Sequence, residues 1–357
     1  MKRIALTIGG ILVVLAVAAW IATRFDGVDL WLYRHAAAAR VGENEVQLAQ
    51  PGELSVLLCG TNAPLPDPNR AGGCALIAAG DDLYVVDAGA GSVRNLLVWH
   101  VPLDKVKGVF LTHFHSDHIA DLGELRLQTW VAGRKTPLKV YGSPGVEDVV
   151  KGFNEAYSHD ADYRTAHHGE KMLPREIVDM VPVVIPMNTA TAPALNANGL
   201  KVTAIRVDHG PVKPAYGYRF DFNGRSVTIS GDTAYYPPLA KAAHGSDVLV
   251  HEAQSNELVG ILGEALLAAH RPRPAKIMHD IVTYHTTPVQ AAQIANMADA
   301  KLLVFTHINP PLPNGIAERA FLHGVAEARH GDWMLGRDGT LIRLPGHSTE
   351  IEKTSLP

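Results

Sequence analysis

The sequence predicts an α/β layered fold, sheets inside and helices outside, on three observations. Strand, helix and strand patterns alternate in both halves of the chain. The composition, 47% hydrophobic and 19% charged with 32 Gly and 23 Pro, describes a folded, loop-rich protein and excludes a disordered chain, a coiled coil or collagen. The length, 357 residues, allows two domains, or one large domain behind an N-terminal segment.

That segment reads as an address. Lys2 and Arg3 precede a run from Ile4 to Ile21 without charge until Arg24, the pattern of an export signal. Ala16-Val17-Ala18 fits a small-residue cleavage site, while the length of the run equally fits a membrane anchor over residues 4–21. The expected organisation is a signal peptide or anchor over 1–24, a linker or helical segment over 25–50, and one domain over 51–357, exported to the periplasm, secreted or held at the membrane. Removing residues 1–24 takes away Lys2, Arg3 and Arg24, leaving a formal charge of -7 where the whole chain has -4. Neither value offers a general footprint for nucleic acid.

In the first half, Leu54–Leu58, Ala75–Ala78 and Leu83–Val86 read as a strand meander punctuated by Gly, Pro and Asp81-Asp82. Cys59 ends the first strand and Cys74 begins the second. Antiparallel pairing would bring them within bridging reach in an oxidising compartment; the alternative is two small buried hydrophobes. Val106–Thr112 reads as a strand and Ile119–Trp130 as a helix. Residues 146–180 are polar and rich in His, Asp and Tyr, and residues 186–199 read as an irregular loop, so this stretch is expected to lie over the core.

In the second half, Lys201–Val207, Tyr216–Phe222 and Ser226–Ile229 read as strands, the last two joined by the hairpin dipeptide Asn223-Gly224. Val248–Val250 and Leu302–Phe305 are short buried strands. Pro288–Ala298 is a helix, with Thr287 and Gln290 in a capping-box pattern and Pro288 at its first position.

The most informative string is HFHSDH, His113 to His118, three imidazoles and a carboxylate directly after a strand. On extended backbone His113, His115 and Asp117 point to one side, and a turn brings His118 round. Imidazole nitrogen and carboxylate oxygen suit zinc. One such string cannot complete two metal sites, and His209, Asp232 and His307 each follow an apolar strand that would deliver them to the same sheet edge.

With these residues in place, the sequence resembles the metallo-β-lactamase superfamily, in the branch that holds ribonuclease Z and a zinc-dependent arylsulfatase. The resemblance spans about residues 54–345. It is carried by Leu57-Leu58-Cys59-Gly60-Thr61, Val86-Asp87-Ala88-Gly89, Leu111-Thr112-HFHSDH, Asp208-His209-Gly210-Pro211, Gly217-Tyr218-Arg219-Phe220, Ser230-Gly231-Asp232-Thr233, His251-Glu252-Ala253, His285-Thr286-Thr287 and Thr306-His307. It implies an αββα four-layer sandwich with two Zn2+ ions, Mn2+ or Fe being alternatives. His113, His115 and His209 would hold one ion, Asp117, His118 and His307 the other, and Asp232 would bridge them. A hydroxide between the metals would attack, oriented by Asp117. Asp87 would support the metal loop without ligating. Glu252 and His285 match motifs of the ribonuclease Z branch in which the histidine, oriented by the glutamate, serves the scissile phosphate or the leaving oxygen. Imidazole at His115, where a redox di-iron protein would carry a carboxylate, favours zinc.

Other signals fall away. Asp87-Ala88-Gly89-Ala90-Gly91 lacks the third glycine of a dinucleotide loop, which is Arg94 here, and neither a serine elbow nor a phosphate-loop lysine motif occurs. His159, Arg164, His167 and His168, with Tyr157 and Tyr163, read as a solvated surface, with recognition of an anionic substrate as the alternative, and His244, His270, His279, His323, His330 and His347 as surface or structural residues. Between Gly145 and His209 there is no long basic, glycine-rich arm to grip RNA, and an acidic domain is poorly equipped for phosphate contacts. The expected substrate is therefore a small anionic phosphodiester or aryl sulfate ester and no nucleic acid, with a lactone or β-lactam, or a non-catalytic metal-binding role, as alternatives. Attachment to a membrane through the N-terminal segment and a homodimer are further expectations.

Overall fold

In the computed structural model, Leu200–His209 alternates buried and exposed residues, whereas Val248–Gln254 and Leu302–Asn309 are buried almost throughout. Helix Pro288–Met297 packs over the latter pair, and a strand covered on both faces carries a near-continuous apolar run, here Val248–Val250 and Leu302–Phe305. The structure describes the backbone of residues 2–24, 26–41 and 45–357, and their side chains apart from 2–7, 9, 10, 21, 22 and 26.

The chain divides into two units, Met1–Glu45 and Val46–Pro357. The first holds helices Lys2–Ala22 and Asp26–Val41. Among the described residues no helix is long and apolar enough to cross a membrane. The side chains of Lys2 and Arg3, the basic start of the expected export signal, lie outside the described set.

The second unit is built on two sheets. The first contains β1 (Leu54–Gly60), β2 (Cys74–Ala79), β3 (Asp82–Val86), β4 (Val106–Phe110), β5 (Leu138–Gly142) and β6 (Met180–Val184). The second contains β7 (Thr191–Ala197), β8 (Leu200–His209), β9 (Val212–Phe222), β10 (Arg225–Ile229), β11 (Val248–Gln254), β12 (Leu302–Asn309) and β13 (Asp332–Leu335). β14 (Thr340–Leu344) and β15 (Glu352–Ser355) return to the first sheet, whose order is β15-β14-β1-β2-β3-β4-β5-β6. The second runs β13-β12-β11-β10-β9-β8-β7.

Three apolar clusters give the layers. Val56, Ile77, Phe110, Tyr218, Phe220, Val250 and Val304 fill the space between the sheets. Leu76, Val85, Leu96, Val109 and Leu125 join the outer face of the first sheet to its helices, and Leu249, Ala291, Ile294, Leu303 and Phe305 do so for the second. Helix, sheet, sheet and helix follow one another, the expected αββα sandwich. β3 to β6 run parallel, as do β10 to β13, so the ends of many strands meet along one edge, where α/β sheets bind ligands.

Three local expectations change or resolve. Residues 186–199 are not wholly irregular, because Thr191–Ala197 pairs with β8 as the edge strand β7. Pro193 sits at its bulge, where a missing N–H is tolerated. The helix expected over Ile119–Trp130 is two, Ser116–Ile119 and Leu122–Val131. Asp121 N turns aside to bond Ala88 O at 2.8 Å, and its carboxylate accepts from Val93 N at 3.2 Å. Cys59 and Cys74 are joined as a disulfide.

That bridge closes a span of 15 residues, for which loop-closure entropy gives about 3 kcal/mol. Chemical denaturation of the Cys59→Ala/Cys74→Ala protein is expected to show a loss of that order, with thiol-treated wild type behaving alike.

A buried histidine and carboxylate cluster at the sheet edge

Each side chain of the cluster is delivered by a specific backbone device. Asp87, just beyond β3, adopts a left-handed conformation (φ 59°) and accepts from Thr112 N (2.8 Å) and Thr112 Oγ1 (2.7 Å), which fixes the start of the HFHSDH loop. The same carboxylate takes the Nδ1 proton of His118 at 2.8 Å. Asp87 thus supports the loop without joining the cluster.

On the second sheet, two bulges aim the histidines. The register of β8 on β9 slips between Val207 and His209. That of β11 on β12 slips so that Glu252 faces Thr306 while Ala253 faces Ile308, leaving His307 as the extra residue at φ 48°. A bulge re-aims a side chain at the end of a ladder, and a left-handed non-glycine residue costs about 1 kcal/mol or more. Before Asp232, Gly231 (φ 61°) leaves no room for a side chain, since a Cβ would stand 2.3 Å from Tyr216 O. Tyr218 Oη donates to Leu111 O (2.7 Å), and Tyr216 N to Thr112 O (2.9 Å), tying the second sheet to the loop of the first.

The result brings all seven expected ligands together. Asp232 Oδ2 lies 3.3 Å from Nε2 of both His118 and His307, 3.9 Å from that of His209 and 4.0 Å from that of His113. His113 Nε2 stands 2.9 Å from His115 Nδ1, and His307 Nε2 3.2 Å from Asp117 Oδ2. Ligand atoms of His113, His115 and His209 lie within 4.8 Å of one another, as do those of Asp117, His118 and His307, and those of His113, His118 and Asp232.

The donor set fits divalent cations. Tyr284 O takes the Nδ1 proton of His209 (3.1 Å), Asp87 that of His118, and Thr112 Oγ1, itself donating to Asp87, that of His113 (3.1 Å). Each tautomer leaves the Nε2 lone pair facing Asp232, as a ligating imidazole requires. His209 Nε2 is buried without a hydrogen-bond partner, a group that would otherwise be costly. Burial pushes His113, His115 and His209 below the usual imidazole range, toward the neutral form that binds metal. For His118 burial acts the same way, but Asp232 and Asp87 outweigh it and raise its affinity for a proton. Burial opposes ionisation of Asp117 and Asp232, yet His118 and His307 beside them hold both below the usual carboxylate range. The site is therefore arranged around positive charge adjacent to two carboxylates.

Against this cluster sits a second pair. His285 Nδ1 donates to Glu252 Oε1 at 3.0 Å, and its ring centre lies 5.1 Å from that of His209 and 5.6 Å from that of His307. Glu252 Oε1 also accepts from Thr233 N (2.9 Å) and Thr286 N (3.4 Å). Burial lowers the His285 pKa, but Glu252 more than compensates and lifts it to about 9. His251 is buried with Nδ1 bonded to Glu252 O (2.7 Å), a structural role. Tyr284 and Thr112, which orient ligands through a main-chain carbonyl and a hydroxyl, carry no sequence signal beyond lying next to His285 and His113. His244, His270, His279, His323, His330 and His347 are exposed, and the 158–168 helix is a surface element whose Arg164 pairs with Asp160 at 2.9 Å.

Residues 83–308 match the family described as "Beta-lactamase superfamily domain". Ribonuclease Z of Mycobacterium bovis (strain BCG / Pasteur 1173P2) is 35% identical over 269 residues, 74% of this chain and 90% of that protein. Among solved structures, a metallo-β-lactamase fold protein of Bacillus subtilis superposes with a TM-score of 0.61 at 20% identity, covering 82% of this chain and 100% of that one. The short form of human tRNase Z gives 0.57 at 19% identity, covering 81% and 98%. These last two likenesses show the fold.

The relatives overturn two expectations. A small ester as substrate and the exclusion of nucleic acid do not stand beside relatives named for a ribonuclease activity, and nothing in them indicates export or aryl sulfate hydrolysis. The physical reason is that net charge sums over the whole surface, whereas phosphates are gripped by a few local groups.

Because Asp87 orients both His118 and Thr112, the Asp87→Ala protein is expected to hold zinc about 10- to 100-fold more weakly. Competition with a chromogenic chelator checks this, and an unchanged affinity would remove Asp87 from the support of the site.

Proposed function

The chain belongs to the metallo-β-lactamase superfamily, in its ribonuclease Z branch, and is a metal-dependent hydrolase; from that premise we propose that it cleaves phosphodiester bonds of RNA, with transfer RNA the substrate its relatives' names suggest. The observation that carries this reading is the Glu252–His285 pair seated against both halves of the ligand cluster, a proton donor beside a place for a polarised phosphate.

Two zinc ions would be held by this donor set, one by His113, His115 and His209 and the other by Asp117, His118 and His307, with the Asp232 carboxylate available to both. Bound there, they would supply a nucleophile from water at neutral pH and neutralise charge on the phosphoryl oxygen. The protein's own groups do the rest. Asp117, its side chain 12% exposed beside His307 and His118, orients the attacking water by accepting a hydrogen bond from it. His285 enters the reaction protonated on both nitrogens. Nδ1–H stays on Glu252, and Nε2–H is handed to the leaving oxygen as the P–O bond breaks. Glu252, held by two backbone amides, keeps the imidazole oriented and charged.

His285→Ala is expected to lower kcat on a transfer-RNA transcript bearing a 3′ extension by about 10²- to 10⁴-fold, with metal content unchanged. Since Glu252 is what holds the proton on His285, Glu252→Gln should move the alkaline fall of kcat to lower pH. Unaltered turnover in the first variant, measured on metal-replete protein, would defeat the proposed role.

A further inference from the structure

The segment between Glu252 and His285 is a helical hairpin. Helix Asn256–Ala268 leaves from Ser255, whose side chain caps it by accepting from Leu258 N, and helix Pro272–Asp280 returns against it. The hairpin has its own small core, Val259, Met278 and Ile281 with Leu262, Leu266 and Tyr284 packed on them, separate from the three clusters of the sandwich. At its far end His270 turns into the left-handed region (φ 56°), Arg271 N bonds Leu266 O at 2.8 Å, and Pro272 and Pro274 stiffen the next turn.

That turn displays Arg271 and Arg273. Both are exposed, and among the described residues neither side chain makes a hydrogen bond or an ion pair. Lys276, one turn on, pairs with Asp280 at 2.7 Å. No acidic residue occupies the first turn of the returning helix, where cations sit at the disfavoured end of the helix dipole. No polar contact within the described residues therefore holds the two guanidinium groups, and their planar forks of donors face solvent in a form that matches phosphate.

We propose that this turn is a phosphate clamp that holds the RNA backbone at a second point, away from the cleavage site; the inference rests on the ribonuclease reading above. Thirteen helical residues, at about 1.5 Å each, set the clamp about 20 Å beyond Ser255, or about six steps of a stacked duplex. Contact at that distance gives affinity through charge, without a net positive chain.

The test uses the full-length, metal-loaded protein and its Arg271→Ala/Arg273→Ala variant, with three probes: the extended transfer-RNA transcript, bis(p-nitrophenyl) phosphate, and phosphatidylcholine vesicles containing phosphatidylglycerol. The expected result is an RNA Kd weakened roughly tenfold, with the slope of log Kd against log salt reduced by about 0.7 to 0.9 per lost contact. Turnover of the small diester should be unchanged, and Arg271→Lys/Arg273→Lys should recover much of the salt dependence. Wild-type cleavage of RNA together with an unaltered Kd and slope in the alanine variant overturns the clamp alone. So does loss of vesicle binding with RNA binding intact, which would assign the turn, with exposed Ile261, Leu267 and Ile277 nearby, to a membrane surface. Wild-type protein that turns over the small diester but neither binds nor cleaves RNA overturns the ribonuclease reading and the clamp with it.

Discussion

One carboxylate organises the molecule. Asp232 is buried at the junction of the two sheets with four imidazole nitrogens within 4.0 Å of a single oxygen. An isolated buried carboxylate is prohibitively expensive, and it persists in a fold only where positive charge faces it. Burial holds His113 and His209 toward the neutral form, so the compensation these rings provide is incomplete. Divalent cations held there would complete it, and in the proposed reaction they would supply the nucleophile.

The rest of the sandwich serves that geometry. Asp87 pins the HFHSDH loop and His118 together, while Tyr216 and Tyr218 fasten the second sheet to the same loop. The two bulges, at Val207–His209 and at His307, sacrifice ladder regularity to swing imidazoles inward. Glu252 anchors the strand Val248–Gln254 against Thr233 and Thr286 while orienting His285, so His285 and the ligand cluster share one scaffold.

Much of this was legible in the chain. HFHSDH announces itself because its spacing is local, and His209, Asp232 and His307 because an apolar strand precedes each. The capping box at Thr287 and Gln290 is present as its pattern predicts. What escaped reading depends on partners distant in sequence. The edge strand Thr191–Ala197 contains Pro193 and Asn196 and acquires its conformation only by pairing with Leu200–His209. The helix break at Asp121 exists because Ala88 and Val93 claim its polar groups. The bulge at His307 is a property of two strands in register, invisible in either. The small-ester expectation fails because it rests on a sum of charges, and net charge says nothing of where individual phosphate-binding groups stand.

The central claim is that the cluster around Asp232 is a binuclear cation site. Anomalous diffraction from crystals grown with zinc, collected on both sides of the zinc edge, addresses it directly. The account predicts two peaks about 3.5 to 4 Å apart, one among His113, His115 and His209 and the other among Asp117, His118 and His307, with Asp232 contacting both. Crystals of folded protein that show no peak there, with Asp232 bonded instead to a protonated His118, would contradict it.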